Sequence, residues 1–288
     1  MSNRICLITG ANSGIGFVTA RELARQGMDV VMVCRNAAKG ELARNEIKAV
    51  ARGKVDLLTA DLASQESVVQ LAQQVRAACP RLDVLVNNAG LILQQAEYSP
   101  EGFENTFAIN HLGTFLLTNL VLDSLRRSDE PRVVTVSSDA HKWGKWDLND
   151  VARPKNYSPL VAYGNSKLAN ILFANELSRR NADWNLASNS LHPGAVRTNF
   201  GAGVGSGLVA WVFNLARPLF LTAEQGAQTS IYLASSPKVK GVSGKYFVKK
   251  TPKTPSRDAQ SETNARQLWE KSVEWTRLEE RLRSAENA

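Results

Sequence analysis

The run Arg4-Ile5-Cys6-Leu7-Ile8-Thr9-Gly10-Ala11-Asn12-Ser13-Gly14-Ile15-Gly16 decides how this chain folds. Its first six residues form an apolar stretch of strand length. Three glycines follow, at 10, 14 and 16, and an amphipathic pattern then runs over residues 14–26. Strand, glycine-rich turn and helix in that order describe a loop that turns tightly and lets a ligand approach the backbone closely. The helix that opens at Gly14 presents free N–H groups and the positive end of its dipole, which suit a pyrophosphate. Gly10, Asn12, Ser13, Gly14, Ile15 and Gly16 are therefore candidate dinucleotide contacts.

The same alternation continues downstream. Apolar runs at 29–34, 55–58, 83–87, 132–137 and 185–192 read as strands. Helical patterns at 64–78, 101–127 and 160–180 separate several of them. Val30–Val33 and Val133–Val136 are continuous apolar runs, as in strands covered on both faces. Alternating β and α units imply a single-domain, doubly wound parallel sheet of Rossmann type with flanking helices. Residues 1–250 read as the dinucleotide-binding catalytic domain. Residues 251–288 read as an extension whose helix, at about 264–283, packs back on it. The irregular stretches 140–159 and 194–207 follow strand ends, where ligands sit in such sheets; a third spans 251–264.

Composition narrows the class. Of 288 residues, 43% are hydrophobic and 22% charged, and no run of 18 uncharged apolar residues occurs, so no spanning helix is expected. The strand begins too early for a signal peptide. Cys6, Cys34 and Cys79 form no paired motif, and Cys6 and Cys34 lie in apolar runs, which reads as core thiols in a reducing compartment. His111, His141 and His192 show no ligand spacing, so no metal is expected. The net charge is +8, and residues 238–288 hold twelve Lys/Arg against seven Asp/Glu. No interleaved aromatics mark a nucleic-acid site. The expected localisation is cytoplasmic.

The second strand ends Val33-Cys34-Arg35-Asn36, with Arg35 and no acid. An acid there binds a ribose 2′-hydroxyl, whereas an arginine accommodates a 2′-phosphate, so the reading is NADPH/NADP over NADH. Tyr163 and Lys167 stand four apart on one face of a predicted helix. An ammonium beside a phenol lowers its pKa from about 10, and such a pair passes protons to and from a substrate oxygen.

These motifs, with Asp61-Leu62, Asn87-Asn88-Ala89-Gly90, Asn110, Ser137-Ser138 and His192-Pro193-Gly194, run in an order that resembles the short-chain dehydrogenase/reductase family over about residues 4–250. Asn110-His111-Leu112-Gly113, Ser166–Asn170 and Gly241–Phe247 look like its retinol dehydrogenase and WW-domain oxidoreductase branch. The resemblance implies a catalytic tetrad of Asn110, Ser138, Tyr163 and Lys167, with Ser138 rather than Ser137 facing substrate and Asn110 anchoring a water. It implies that Asp61 and Leu62 line the adenine pocket, and that Asn88, Ala89 and Gly90 flank the ribose and nicotinamide. Pro193, Gly194, Val196 and Thr198 would hold the carboxamide and pyrophosphate, while His192 is structural. Ser138 and Tyr163 are 25 apart, a longer loop that matches this branch. The branch's animal retinol dehydrogenases often carry an N-terminal anchor that this sequence does not show. Family members commonly form homodimers through the helix bearing the tyrosine.

Leu91–Leu93, Trp143, Trp146 and the apolar residues Leu208, Val209, Trp211, Val212, Phe213, Leu219 and Phe220 point to a lipophilic aldehyde, ketone or alcohol as substrate. The last seven fall in the expected lid, at about 195–221. A helix resting peripherally on a membrane is the second reading of that segment. The expected function is NADPH-dependent interconversion of a carbonyl and its alcohol. Alternatives are a protochlorophyllide-reductase-like enzyme and a catalytically silent NADP(H)-sensing regulator.

Overall fold

In the computed structural model, residues 3–196 and 221–286 are described. Thr198 and the lid residues Leu208 to Phe220 lie outside them. The strands are β1 Ile5–Thr9, β2 Asp29–Cys34, β3 Val55–Thr59, β4 Val84–Asn87, β5 Arg132–Val136, β6 Ala187–His192, β7 Tyr246–Val248 and β8 Thr251–Lys253. They form one sheet in the order β3-β2-β1-β4-β5-β6-β7-β8, parallel throughout except for the β7–β8 hairpin. The order reverses beside β1, which pairs with both β2 and β4, and ligand crevices open at such a point.

Successive strand residues face opposite sides of the sheet. Leu7, Val31, Val33, Leu85 and Val133 enter one core, with α3 (Gln65–Ala78) and α5 (Gly113–Leu120). Cys6, Ile8, Val30, Met32, Val84, Val86, Val134 and Val136 enter the other, with α1 (Gly14–Arg25) and α2 (Ala37–Lys48). Both faces need apolar side chains, and this explains the unbroken Val/Ile/Leu runs of the sequence.

The helix expected over 101–127 is divided. It comprises an α-turn at Asn105–Phe107 (α4), a π-helical stretch at Ala108–Leu112, then α5, and after Val121 a short α6 at Leu122–Arg126. Single π-turns recur at functional sites, and Asn110 sits at the centre of this one. The whole assembly starts at a buried carboxylate. Glu104 accepts the Thr106 N–H at 2.7 Å on one oxygen and the Phe107 N–H at 2.9 Å on the other. Burial pushes this carboxyl up, against the downward pull of the two N–H bonds. Glu104→Ala leaves both amides without an acceptor and is expected to cost about 1–3 kcal/mol. A lower urea midpoint checks this, and an unchanged midpoint would show that the cap carries no stability.

The extension departs from expectation in two places. Residues 251–264 include β8, so they are not wholly irregular. The final helix is two, α9 (Glu262–Thr276) and α10 (Leu278–Glu286), separated by Arg277 in the left-handed region at φ 49°. α7 (Pro159–Arg180) and α8 (Ala223–Ser235) complete the α-helices among the described residues. Leu268 and Leu278 are buried and Trp275 and Leu282 partly so, packed against the first and third apolar clusters. Trp146, read as a candidate pocket residue, packs against the third apolar cluster, which includes Val151, Ala152 and Leu268. Among the described residues, no helix is long and apolar enough to cross a membrane.

Candidate active site

The glycine-rich loop closes on the end of β4. Gly10 and Gly14 have φ of 67° and 55°, backbone that favours glycine. Gly10 N–H and Ala11 N–H both donate to Val33 O. Asn88 Nδ2 donates to Thr9 O at 2.9 Å and to Gly10 O at 3.3 Å, while Asn88 N–H and Ala89 N–H converge on Thr9 Oγ1. A Cβ on Gly16 would stand 2.2 Å from Gly10 O and 2.4 Å from Asn88 Nδ2, so only glycine allows α1 to start this close to the loop. The α1 N-cap, Ser13, makes no side-chain cap bond and no acid occupies the first turn. The helix start is left with donors for an anion, and these residues fit a dinucleotide pyrophosphate.

Arg35, just past β2, is 71% exposed at its side chain and stands 4.0 Å from Asp61, itself 42% exposed. Its guanidinium is thus weakly paired and open at the strand ends. Asp61 also accepts the Ala63 N–H, and Leu62 is buried against Gly113. Gly194 takes φ 94° after Pro193. Val196 bridges Leu221, and its side chain lies where a Cβ on Gly226 of α8 would collide. Ile15 reaches the same spot, so the first helix and the turn after β6 meet there.

Three elements deliver the proposed tetrad. Tyr163 and Lys167 come from α7, Ser138 from the end of β5 and Asn110 from the π-helical stretch. The Tyr163 hydroxyl has Ser138 as a hydrogen-bond partner, yet burial outweighs that partner and pushes the phenol above its ordinary range. Lys167 is fully buried, and burial lowers its ammonium to about 8. Its Nζ donates to Val136 O at 3.2 Å and lies 5.5 Å from the centre of the Tyr163 ring. Against the sequence expectation of a lowered phenol, burial dominates in the folded protein; Ser138 pulls the other way, and the Lys167 ammonium beside the ring is also engaged by a backbone carbonyl.

Ser137 and Ser138 point to different partners. Ser137 is buried and donates to Lys167 O at 2.6 Å, bracing α7 against β5. Ser138 faces Tyr163. Gly90 lies beside the group, since a Cβ there would come within 3.0 Å of Lys167 Nζ and 3.2 Å of Asn110 Oδ1.

Asn110, expected to anchor a water, commits its side-chain amide to protein groups. Both of its amide hydrogens are used, one on Leu91 O at 2.9 Å and one on Ser166 Oγ at 2.9 Å, and its Oδ1 accepts the Leu91 N–H at 2.8 Å. It clamps the loop after β4 to α7. Asn170, not singled out from sequence, donates to the same Val136 carbonyl as Lys167. The signal was present: 163, 166/167 and 170 form a polar stripe at helical spacing on one face of α7.

His192, read as structural, accepts the Asp139 N–H on its Nδ1 at 3.2 Å. His141 and Tyr246 were missed as neighbours of the site. The long loop before Tyr163 docks on α7 glycine to glycine, for a Cβ on Gly164 would stand 2.7 Å from Gly144 N and 2.8 Å from Ala140 O. Cys6, Cys34 and Cys79 are all buried free thiols.

The profile of the family described as short chain dehydrogenase matches residues 4–207. Retinol dehydrogenase 14 of Homo sapiens is 44% identical over 286 residues, covering 94% of this chain and 85% of that protein. WW domain-containing oxidoreductase of Danio rerio is 40% identical over 281 residues, covering 94% of this chain and 68% of that one. Among solved structures, an uncharacterized protein from Mycobacterium paratuberculosis is similar with a TM-score of 0.78 and 37% identity, covering 96% of this chain and 94% of its own.

Proposed function

The chain belongs to the short-chain dehydrogenase family, and from that premise we propose that it interconverts a lipophilic aldehyde or ketone and its alcohol with NADP(H), using Tyr163 as proton donor and acceptor. The observation that carries the reading is the meeting of the Ser138 and Tyr163 hydroxyls beside the Lys167 ammonium and the bare backbone of Gly90.

A bound reduced nicotinamide supplies the hydride. The chain's own part is to manage the oxygen. Ser138 and Tyr163 aim two hydroxyls at an oxygen that gains negative charge, and such donors act more strongly in a site that excludes water. Tyr163 then gives up its proton. Burial keeps the phenol protonated before that moment, which suits a donor to an alkoxide. Lys167, cationic below about pH 8, lies close enough to stabilise the phenolate left behind. Asn110 acts through others: it fixes the Leu91 turn and Ser166, and with them the Gly90 backbone and the α7 register. Run in reverse, the same groups take the proton of an alcohol.

Two observations support a lipophilic substrate. Relatives at this level of identity are named as retinol dehydrogenases. Leu160, one turn before Tyr163 on α7, and Trp143, whose backbone lies against Gly164, are each more than half exposed. A panel of aldehydes and ketones with NADPH and NADH, followed at the reduced-nicotinamide absorbance, tests the assignment. Failure of every compound to oxidise either cofactor would sink it.

Arg35 carries the choice of dinucleotide. Its exposed guanidinium is placed to pair a 2′-phosphate, with Asp61 as a weak competitor. Arg35→Asp is expected to raise the KM for NADPH by about tenfold or more, one charge-assisted pair being worth ~1.5–3 kcal/mol, and to leave the KM for NADH nearly unchanged. Equal effects on both would remove the 2′-phosphate reading.

A further inference from the structure

The turn that follows Ser138 is tied at several points. Ser138 Oγ accepts the Ala140 N–H at 3.2 Å, and Asp139 accepts the Tyr246 O–H at 3.0 Å. His141, 1% exposed, closes the turn from behind. Its Nδ1 lies 2.7 Å from Ser138 O, and its Nε2 accepts the Ser256 N–H at 3.0 Å. A carbonyl only accepts and a backbone amide only donates, so this geometry fixes the ring as the neutral Nδ1–H tautomer. The ring also packs edge-on against Tyr246, with centroids 5.3 Å apart. One side chain thus joins the main chain of Ser138 to residue 256 of the C-terminal extension, 115 positions away.

We propose that His141 is a positioning residue that straps the Ser138 main chain to the extension at Ser256, so that docking of the extension and alignment of Ser138 with Tyr163 are one structural event. The proposal rests on the catalytic reading given above. The Ser138 hydroxyl must keep one direction to reach Tyr163, and its φ of −160° and ψ of 156° are extended values that the following turn holds. Ser138 also caps that turn, so movement of its carbonyl moves its hydroxyl. Displacing a catalytic hydroxyl by about 1 Å costs roughly 100-fold in rate. The strap explains why a segment beyond the dinucleotide-binding sheet packs where it does. The extension reaches the tetrad's surroundings from the other side as well, where Ser272 Oγ lies 3.0 Å from Nε2 of His111, next to Asn110.

Hydrogen exchange on the intact protein tests the strap itself. The amides of Ser256 and Ala140 are expected to be protected in the wild type and to lose protection together in His141→Phe, which keeps a ring against Tyr246 and removes both polar bonds. His141→Asn, which keeps a donor near Ser138 and removes the acceptor facing Ser256, serves if the first variant folds poorly. In the variant that folds, kcat is expected to fall at least about tenfold, with the dissociation constant for NADPH within twofold of wild type. A variant that loses Ser256 protection but keeps Ala140 protection and wild-type kcat overturns the proposal, as does an unprotected Ser256 amide in the wild type. Should the wild type turn over no carbonyl at all, the catalytic reading fails on its own, and the paired response of the two amides still decides whether the strap exists.

Discussion

Tyr163→Phe is expected to lower kcat by at least about 10³-fold while the dissociation constant for NADPH stays within a few-fold of wild type. The substitution removes one oxygen and leaves the ring over which Lys167 Nζ sits at 5.5 Å. Two effects are lost together. Proton transfer by a placed side chain is worth about 10²–10⁴, and one donor to a developing oxyanion about 10²–10³. Ser138 would remain as a donor but has no acidic proton to give. The phenol is held protonated by burial, so its loss removes an acid that is ready at neutral pH. The lysine adds a pH signature in the wild type. Its folded pKa lies below the ordinary lysine value, so the ammonium is present below about pH 8 and is lost as pH rises through that value. Reduction by the wild type is therefore expected to weaken on the alkaline side. Stopped-flow and steady-state rates, with cofactor binding followed by fluorescence, check both claims. A Phe variant with wild-type kcat would remove Tyr163 from the chemistry.

The sheet was legible because its physics repeats along the chain. Strands covered on both faces carry near-continuous apolar runs, as Ile5–Ile8 of β1, Val30–Cys34 of β2 and Val133, Val134 and Val136 of β5 do. β7 and β8 were not read, for a reason that lies in their turn. A two-residue hairpin turn of this hand normally announces itself with Asn or Gly, yet here Lys249 and Lys250 take φ of 51° and 64°. The break between α9 and α10 hides in the same way, since Arg277 rather than Gly adopts the left-handed backbone.

The candidate site was readable where it depends on side chains at local spacing. Tyr163 and Lys167 share a helix face, and the Gly10–Gly16 loop sits between a strand and a helix. It was not readable where a side chain answers to backbone. Lys167 and Asn170 are placed by Val136 O, Asn110 by the Leu91 peptide, and His141 by Ser138 O and Ser256 N. A carbonyl is the same in every residue and leaves no trace in composition or spacing. The π-helical stretch at Ala108–Leu112 belongs with these. Its centre is Asn110, whose amide makes three tertiary bonds, and those bonds set a register that local propensity does not encode.

The second large effect is expected at Gly16, where catalysis depends on a missing methyl group. In Gly16→Ala the new Cβ would stand 2.2 Å from Gly10 O and 2.4 Å from Asn88 Nδ2. The first neighbour is backbone and yields only if the loop moves. The second is the amide that holds Thr9 O and Gly10 O, so displacing it releases the loop from β4 as well. Overpacking of this kind costs about 1–3 kcal/mol in stability. The larger consequence is for binding, because the same shift moves the α1 start away from the phosphate position that the glycine-rich turn defines. NADPH affinity is expected to fall by at least tenfold, with kcat at saturating cofactor far less affected because Ser138, Tyr163 and Lys167 lie beyond β4. This reverses the pattern of Tyr163→Phe, which spares binding and removes turnover. Calorimetric titration with NADPH, alongside thermal unfolding of the free protein, separates the two costs. If Gly16→Ala binds NADPH as tightly as the wild type and melts at the same temperature, then the loop does not close on Asn88 as described, and the dinucleotide site must be placed elsewhere.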